Sequence, residues 1–285
     1  MDRLQAVGVN APQIEFWNGP AGEKWARGAD GQDAMLTPLG IAAMDVCAIQ
    51  PGDTVLDVGC GSGSTTLEIA RRVGAGGRVL GVDISTPMLD VARTRLAALG
   101  VDGVSFDNKD VATYPFEAGT FDNVFSRFGV MFFIDPVAAF TNIRTGLKPG
   151  GQLGFVCWQG LDKNPRMAVP VNIALKYVTA PPSRGPEAPG PLSFADPDRV
   201  RRILSGAGFG DINMEALETM IRVGPDAPGS VQKLMESGQA GRLIGPASEA
   251  VKARIADDIV EALADYQTDD GVMMGGAVWI VTATA

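Results

Sequence analysis

The strongest constraint on the fold is a run of short apolar strands, each ending near an acid and each followed by a helical segment. Val55-Leu56-Asp57-Val58-Gly59-Cys60-Gly61-Ser62-Gly63 is an apolar strand entering a glycine-rich turn, with Asp57 two residues before the first glycine. Thr65 to Val73 carries Leu67, Ile69, Ala70 and Val73 at helical spacing, and Gly74 to Gly77 ends it. Arg78 to Asp83 is the second strand. Thr86 then offers an N-cap with Pro87 as first helical residue, and Met88, Leu89, Ala92, Leu96 and Leu99 make an apolar face up to Gly100. Val104 to Lys109 is the third strand. This alternation predicts a doubly wound α/β sheet whose ligand sits at the carboxyl ends of the strands.

The pattern continues. Phe121 to Ser126 is a fourth strand, and Asp135-Pro136 caps a helix with Val137, Phe140, Ile143 and Leu147 facing the core, before the Lys148-Pro149-Gly150-Gly151 turn. Gln152 to Trp158 is the fifth strand. Gln159 to Ser193 reads as irregular, with a proline-rich centre at Pro181-Pro182, Pro186, Pro189 and Pro191. Asp196-Pro197 starts a helix ending at Gly208, Asp211 to Val223 supplies a strand, and Ala277 to Thr284 a final one. Between them lie two predicted helices, Ser230 to Leu243 and Ser248 to Tyr266, the second with Val251, Ile255, Ile259 and Leu263 at four-residue intervals. Residues 1 to 50 hold Phe16-Trp17, Trp25 and an apolar helical run from Leu36 to Val46. They are expected to cover the ligand edge of the sheet.

Asp57, Asp83 and Asp110 recur at the ends of successive strands, 26 and 27 residues apart. In an open parallel sheet those ends converge on one crevice, so one elongated ligand can meet all three. A dinucleotide turn places glycines and a helix N-terminus against a pyrophosphate, and a lining carboxylate opposes such an anion. Its G-x-G-x-x-G fingerprint would also need glycine at position 64, where Ser64 stands. Asp57 suits a cationic ligand group instead. Asp83 is placed to accept from two ribose hydroxyls, and Ile84 beside it to pack on a flat purine.

These residues resemble the cofactor turn of class I S-adenosylmethionine-dependent methyltransferases. Phe121-Asp122-Asn123-Val124-Phe125-Ser126-Arg127 is similar to the fourth-strand segment of that superfamily, and Leu147-Lys148-Pro149-Gly150-Gly151 to the turn before its fifth strand, so the likeness covers roughly residues 50 to 160. Glu15-Phe16-Trp17-Asn18-Gly19-Pro20-Ala21-Gly22 resembles the start of bacterial small-molecule members. The resemblance implies a Rossmann-like, mostly parallel seven-stranded sheet of order 3-2-1-4-5-7-6 with the last strand antiparallel. It implies S-adenosylmethionine as cofactor, held by Asp57, Gly59, Gly61, Asp83 and Ile84. It also implies that Asp110 and Val111 meet the adenine, with Ser126 at the fourth strand end completing the set. The expected organisation is an N-terminal helical cap (1–50), a cofactor-binding core (51–158), an insertion over the site (159–193), and a stretch completing the core (194–285) with a helical insertion at 228–270.

The acceptor side stays open between readings. Phe128, Met131, Phe132 and Phe133 line an apolar pocket or pack the core; Trp17 and Trp25 close over the sulfonium, whose charge an aromatic face attracts, or pack a lid. Arg127 orients an acidic substrate or holds the strand end. Nucleic-acid amine methyltransferases carry an Asn/Asp-Pro-Pro-Tyr type sequence after the fourth strand, whereas here Ser126-Arg127-Phe128-Gly129 follows. A net charge of −9 without a basic cluster also disfavours a nucleic-acid partner. With no histidine, any general base is Asp, Glu, Tyr, Lys, Cys or water. Glu15, Glu23, Tyr114, Tyr177 and Tyr266 are nominal candidates, and no catalytic residue is assigned. Cys47, Cys60 and Cys157 lack metal-ligand spacing, and Asp269-Asp270 reads as a water-facing turn, so no metal site is expected.

No apolar run approaches bilayer length, and Met-Asp-Arg-Leu-Gln-Ala lacks the regions of a signal peptide, which predicts a cytoplasmic chain without a membrane partner. The expected activity is methyl transfer to a small, apolar or aromatic metabolite, at oxygen ahead of nitrogen or carbon. The alternatives are methylation of a protein or RNA group, and a cofactor-binding regulator that transfers nothing. Oligomeric state is not legible.

Overall fold

Three helices open the chain in the computed structural model, which describes residues 4–180, 182, 185 and 187–285. They are α1 (Ala11–Asn18), α2 (Pro20–Arg27) and α3 (Ala29–Val46), followed by β1 (Thr54–Val58), α4 (Ser64–Val73), β2 (Arg78–Asp83), α5 (Thr86–Leu99), β3 (Val104–Asn108), β4 (Phe121–Arg127), α6 (Pro136–Gly146) and β5 (Leu147–Trp158). Then come α7 (Pro165–Ala174), α8 (Pro197–Gly206), β6 (Gly210–Gly224), α9 (Ala227–Glu236), α10 (Gly238–Ile244), α11 (Glu249–Leu263), β7 (Gln267–Thr268) and β8 (Gly271–Thr284). The chain divides into two compact units: residues up to Cys157 with Asp196–Glu215 and Trp279–Ala285, and Trp158–Ala195 with Ala216–Val278.

The strand order is β3-β2-β1-β4-β5-β8-β6. β1 pairs in parallel with β2 and β4, β2 with β3, and β4 with β5. Strands covered on both faces must be apolar throughout, and Val55, Leu56, Val124, Phe125, Phe155 and Val156 are all buried. The covering helices contribute Ile69 and Val73 from α4, Leu89 and Ala92 from α5, Phe140 and Ile143 from α6, and Val200 and Leu204 from α8. At the start of β5, Gly150 N donates to Ala285 O (3.4 Å) and Ala285 N to Gly151 O (3.0 Å). At its far end Gln159 N donates to Ala277 O (3.0 Å), so β8 runs antiparallel to β5.

Local chemistry sets the boundaries. Asp135 accepts from Ala138 N (3.0 Å) and Asp196 from Asp198 N (2.9 Å), each capping a helix that begins with proline. The Lys148–Gly151 turn is a bulge within β5: Phe121 faces Leu147, but Asn123 faces Gln152, so the extra residues loop out. The N-cap position of α5 is Ser85 rather than Thr86, and Thr86 donates its amide to Asn18 Oδ1 (3.0 Å) and its hydroxyl to Asn108 Oδ1 (3.2 Å).

The second unit is built on a helical core in which Ile255, Ile259 and Leu263 of α11 are fully buried with Leu234, Leu243 and Met274. Burying each such side chain contributes about 1.5–3 kcal/mol before entropy is counted. Three features depart from expectation. Gln159 to Ser193 is not irregular throughout, since Pro165 starts α7, whose Val171, Ile173 and Ala174 join this core despite the internal Pro170. The helix expected from Ser230 to Leu243 breaks at Ser237–Gly238, where Gly238 has φ +51°. An extra two-residue strand, β7, forms a hairpin with β8. Pro181 and Pro186 of the proline-rich centre lie outside the described residues. Among the described residues no helix is long and apolar enough to cross a membrane.

Candidate active site

The turn after β1 is shaped first by the protein's own packing. Gly59 and Gly63 have φ +68° and +81°, a region that residues with a Cβ avoid. A Cβ on Gly59 would also lie 2.8 Å from Gly129 Cα, and one on Gly63 2.8 Å from the Ala92 Cβ and 2.9 Å from the Phe106 ring. Gly61 N donates to Asp83 Oδ2 (2.8 Å) and Ser85 N to Asp83 Oδ1 (2.7 Å), so the acid ending β2 braces the turn. Burial pushes the Asp83 carboxyl up and these backbone donors act against it. Asp83 is partly exposed.

Asp57 is completely buried. Its Oδ2 accepts from Thr66 Oγ1 at 2.6 Å, whereas Oδ1 is buried without a partner among the described residues. Burial pushes its carboxyl up to about 7; the Thr66 bond and the Arg127 charge oppose that, and the Asp83 charge adds to it. An orphaned carboxylate oxygen at this depth is costly, and such exceptions concentrate at functional sites.

Asp110 is buried and held by a residue the sequence reading missed. Asn10 Nδ2 donates to both its oxygens, at 3.0 and 2.9 Å, and Ala112 N to Oδ1 at 3.0 Å. Asn10 precedes α1 by one residue, a hundred positions from Asp110, and no local pattern links the two. Val111 is buried beside it, its carbonyl accepting from Asn142 Nδ2 (2.7 Å); the Ile84 carbonyl accepts from Asn18 Nδ2 (2.7 Å). Ser126, fully buried, donates to Val58 O (2.8 Å) and accepts from Gly129 N (3.2 Å), stapling β4 to β1.

On the acceptor side, Asp33 of α3 is a second residue not foreseen. It accepts from Arg127 (2.7 Å), Arg95 (2.7 Å) and Ser62 Oγ (3.1 Å), tying α3 to β4, α5 and the glycine turn. Burial would raise its carboxyl, but the two guanidinium groups outweigh that and hold it below the usual range. A Cβ on Gly40 would lie 2.9 Å from the Arg127 stem, so glycine there gives that side chain room to reach Asp33. Phe128 follows with φ +61°, uncommon for a bulky residue and a mark of strain held in place by its surroundings. Phe128 and Met131 are buried. Trp17 packs edge-on against Trp25 (centroids 6.0 Å apart) and Phe132 (5.2 Å), and its carbonyl accepts from Ser85 Oγ (2.7 Å). The N-terminal helices therefore bond to a residue following β2 and pack against one following β4. Among the described residues no group of three His, Cys, Asp or Glu side chains could hold a metal.

Comparison with known proteins decides the family of this segment. Residues 55–151 match the family described as a methyltransferase domain. They form a class I methyltransferase domain. The donor of this class is S-adenosylmethionine. Over 186 residues, 61% of this chain and 65% of the other, the sequence is 32% identical to the nocamycin O-methyltransferase of Saccharothrix syringae. It is 34% identical over 120 residues, 42% and 54% of the two chains, to the aklanonic acid methyltransferase of Streptomyces sp. strain C5. The match thus spans between about half and two thirds of these relatives' lengths. The fold is shared with phosphoethanolamine N-methyltransferase 2 of Haemonchus contortus, solved with S-adenosyl-L-methionine, at TM-score 0.58 and 18% identity over 95% of this chain and 59% of that one.

Proposed function

We propose that the whole chain transfers a methyl group from S-adenosylmethionine to a small, apolar or aromatic metabolite, with oxygen as acceptor. The observation that carries this is the orphaned, buried Asp57 Oδ1 beside the partly exposed Asp83 in a methyltransferase domain. The residues fit the donor: a carboxylate oxygen without a partner suits an ammonium, and an ionised acceptor at the end of β2 suits vicinal ribose hydroxyls. Gly59 and Gly61 leave the turn without side chains, Ile84 offers an apolar face to the purine, and Asp110 with Val111 supplies the amide-like edge that an adenine needs. Ser126 acts on this site through the backbone it staples.

When bound, the donor supplies an electrophilic methyl carbon. The protein's part is alignment and exclusion of water, because a displacement at carbon needs little else. Arg127, locked onto Asp33, holds the end of β4; Phe128 and Met131 provide apolar walls, and Trp17 with Trp25 an aromatic surface whose faces attract a cation. The relatives named for aklanonic acid and nocamycin, both small molecules, support an acceptor of that class. The test is a product screen by mass spectrometry, with isotopically labelled donor and a panel of phenols, carboxylic acids and amines. A labelled methyl group is expected on a phenol or carboxylic acid; donor binding with no methylated product across the panel would reject the reading.

Trp17→Ala leaves the main-chain bond to Ser85 intact but removes the ring that joins Trp25 to Phe132. If Trp17 covers the donor, kcat/KM falls about tenfold or more while Tm drops by only about 2–4 °C. Parallel loss of both assigns the ring to packing.

A further inference from the structure

Asn10 holds the N-cap position of α1, yet its side chain does not cap that helix. A residue of this type ordinarily accepts from the amides of the first turn. Here the carboxamide is buried and reaches across a hundred residues of sequence to Asp110. Its two ends are fixed independently. Oδ1 accepts from Ile134 N (3.3 Å), in the segment after β4, and Nδ2 donates to Asp110 Oδ1 (3.0 Å) and Oδ2 (2.9 Å). The Ile134 amide settles which end of the carboxamide faces the acid, because it needs an acceptor and the carboxylate needs a donor.

That approach sets the aim of the acid. A nitrogen at nearly the same distance from both oxygens lies in front of the carboxylate and fixes its rotation, and Ala112 N adds a further donor to Oδ1 (3.0 Å). Oδ1 therefore carries two donors and Oδ2 one, so Oδ2 is the oxygen with acceptor capacity left. Anchoring of the N-terminal helices does not require this arrangement, since other bonds supply it. Trp17 O accepts from Ser85 Oγ (2.7 Å), Asn18 Nδ2 donates to Ile84 O (2.7 Å), and Asn18 Oδ1 accepts from Thr86 N (3.0 Å). Those three leave the strand-end acids untouched, whereas Asn10 is aimed at one of them.

We propose that Asn10 is a positioning residue for the base of the methyl donor: it turns Asp110 so that Oδ2 receives the exocyclic amine of adenine, and thereby makes the site reject a 6-oxopurine. The inference rests on the reading of Asp110 as the acid that meets the adenine. A 6-oxo group presents an acceptor where the carboxylate needs a donor. Calorimetry on the full chain therefore compares S-adenosylhomocysteine with S-inosylhomocysteine, its deaminated counterpart. The wild type should prefer the adenosyl ligand about 100-fold or more, since a site built to pair a polar group of its ligand discriminates against an analogue that lacks it. In Asn10→Ala the adenosyl ligand should bind about tenfold or more weakly and the inosyl ligand nearly as before, so that the preference contracts. A residue that only fastened the N-terminal helices would weaken both by the same factor. Equal loss, or a preference as large as that of the wild type, overturns the inference and leaves the donor reading standing. A wild type that binds neither ligand refutes the donor reading, and one that binds both alike takes Asp110 off the base; the inference falls in either case. Should Asn10→Ala fail to fold, Asn10→Ser makes the same comparison, because serine can cap α1 itself while lacking the NH₂ donor, and an undiminished preference there overturns the inference equally.

Discussion

Asp83→Asn is expected to weaken S-adenosylmethionine binding by about 100-fold or more in calorimetry, with only a modest loss of stability. Two charge-assisted bonds to hydroxyls contribute about 1.5–3 kcal/mol each, and an amide that presents one donor and one neutral acceptor reproduces neither. The variant also disturbs the apoprotein. Asp83 accepts from Gly61 N and Ser85 N, and in asparagine one of those amides faces an NH₂ group. That mismatch costs about 1–3 kcal/mol, so affinity must be measured well below the variant's Tm. Unchanged affinity in the folded variant removes Asp83 from the donor site. Asp83→Ala takes away both acceptors and is expected to lose binding equally, with a larger fall in Tm.

Much of the sheet was legible because its strands are covered on both faces, so apolar runs punctuated by glycine and proline mark their limits. Arg78–Asp83 is a strand of those bounds, and Pro136 and Pro197 open helices where the sequence places them. The helix α7 was hidden because Pro170 interrupts it and proline-rich sequence follows, so tertiary burial of Val171, Ile173 and Ala174 overrode the local signal. In the site, the acids at strand ends stood out by their spacing. Their partners did not. Asn10 reaches Asp110 and Asp33 reaches Arg127 across roughly a hundred residues of sequence, and each is an ordinary polar residue in or beside an N-terminal helix. The bracing of the turn by Asp83 follows from backbone geometry that no residue pattern encodes.

Asp57→Asn is expected to flatten the pH dependence of stability between pH 5 and 8 and to make donor binding weak and insensitive to pH. In the folded, donor-free protein burial pushes the Asp57 carboxyl from 3.8 up to about 7, a penalty of about 4 kcal/mol on its ionised form. A carboxyl raised by folding favours the native state most fully below its unfolded value; that contribution is lost as pH rises through about 7. The wild type should therefore grow less stable relative to Asp57→Asn from pH 5 to 8, as read by urea denaturation at fixed pH values. Asp83 is raised in the same direction and Asp33 lowered, so the difference between the two proteins, rather than the wild-type slope, isolates Asp57. Donor binding reverses the preference. An ammonium beside Oδ1 stabilises the ionised carboxylate, so binding below pH 7 must expel a proton, and affinity should climb with pH until the free carboxyl is already ionised. Calorimetry in two buffers of different ionisation enthalpy counts that proton directly. A wild type that releases none at pH 6, or a variant that binds the donor as tightly, separates Asp57 from the cationic end of the ligand and leaves its orphaned oxygen a matter of packing around Thr66.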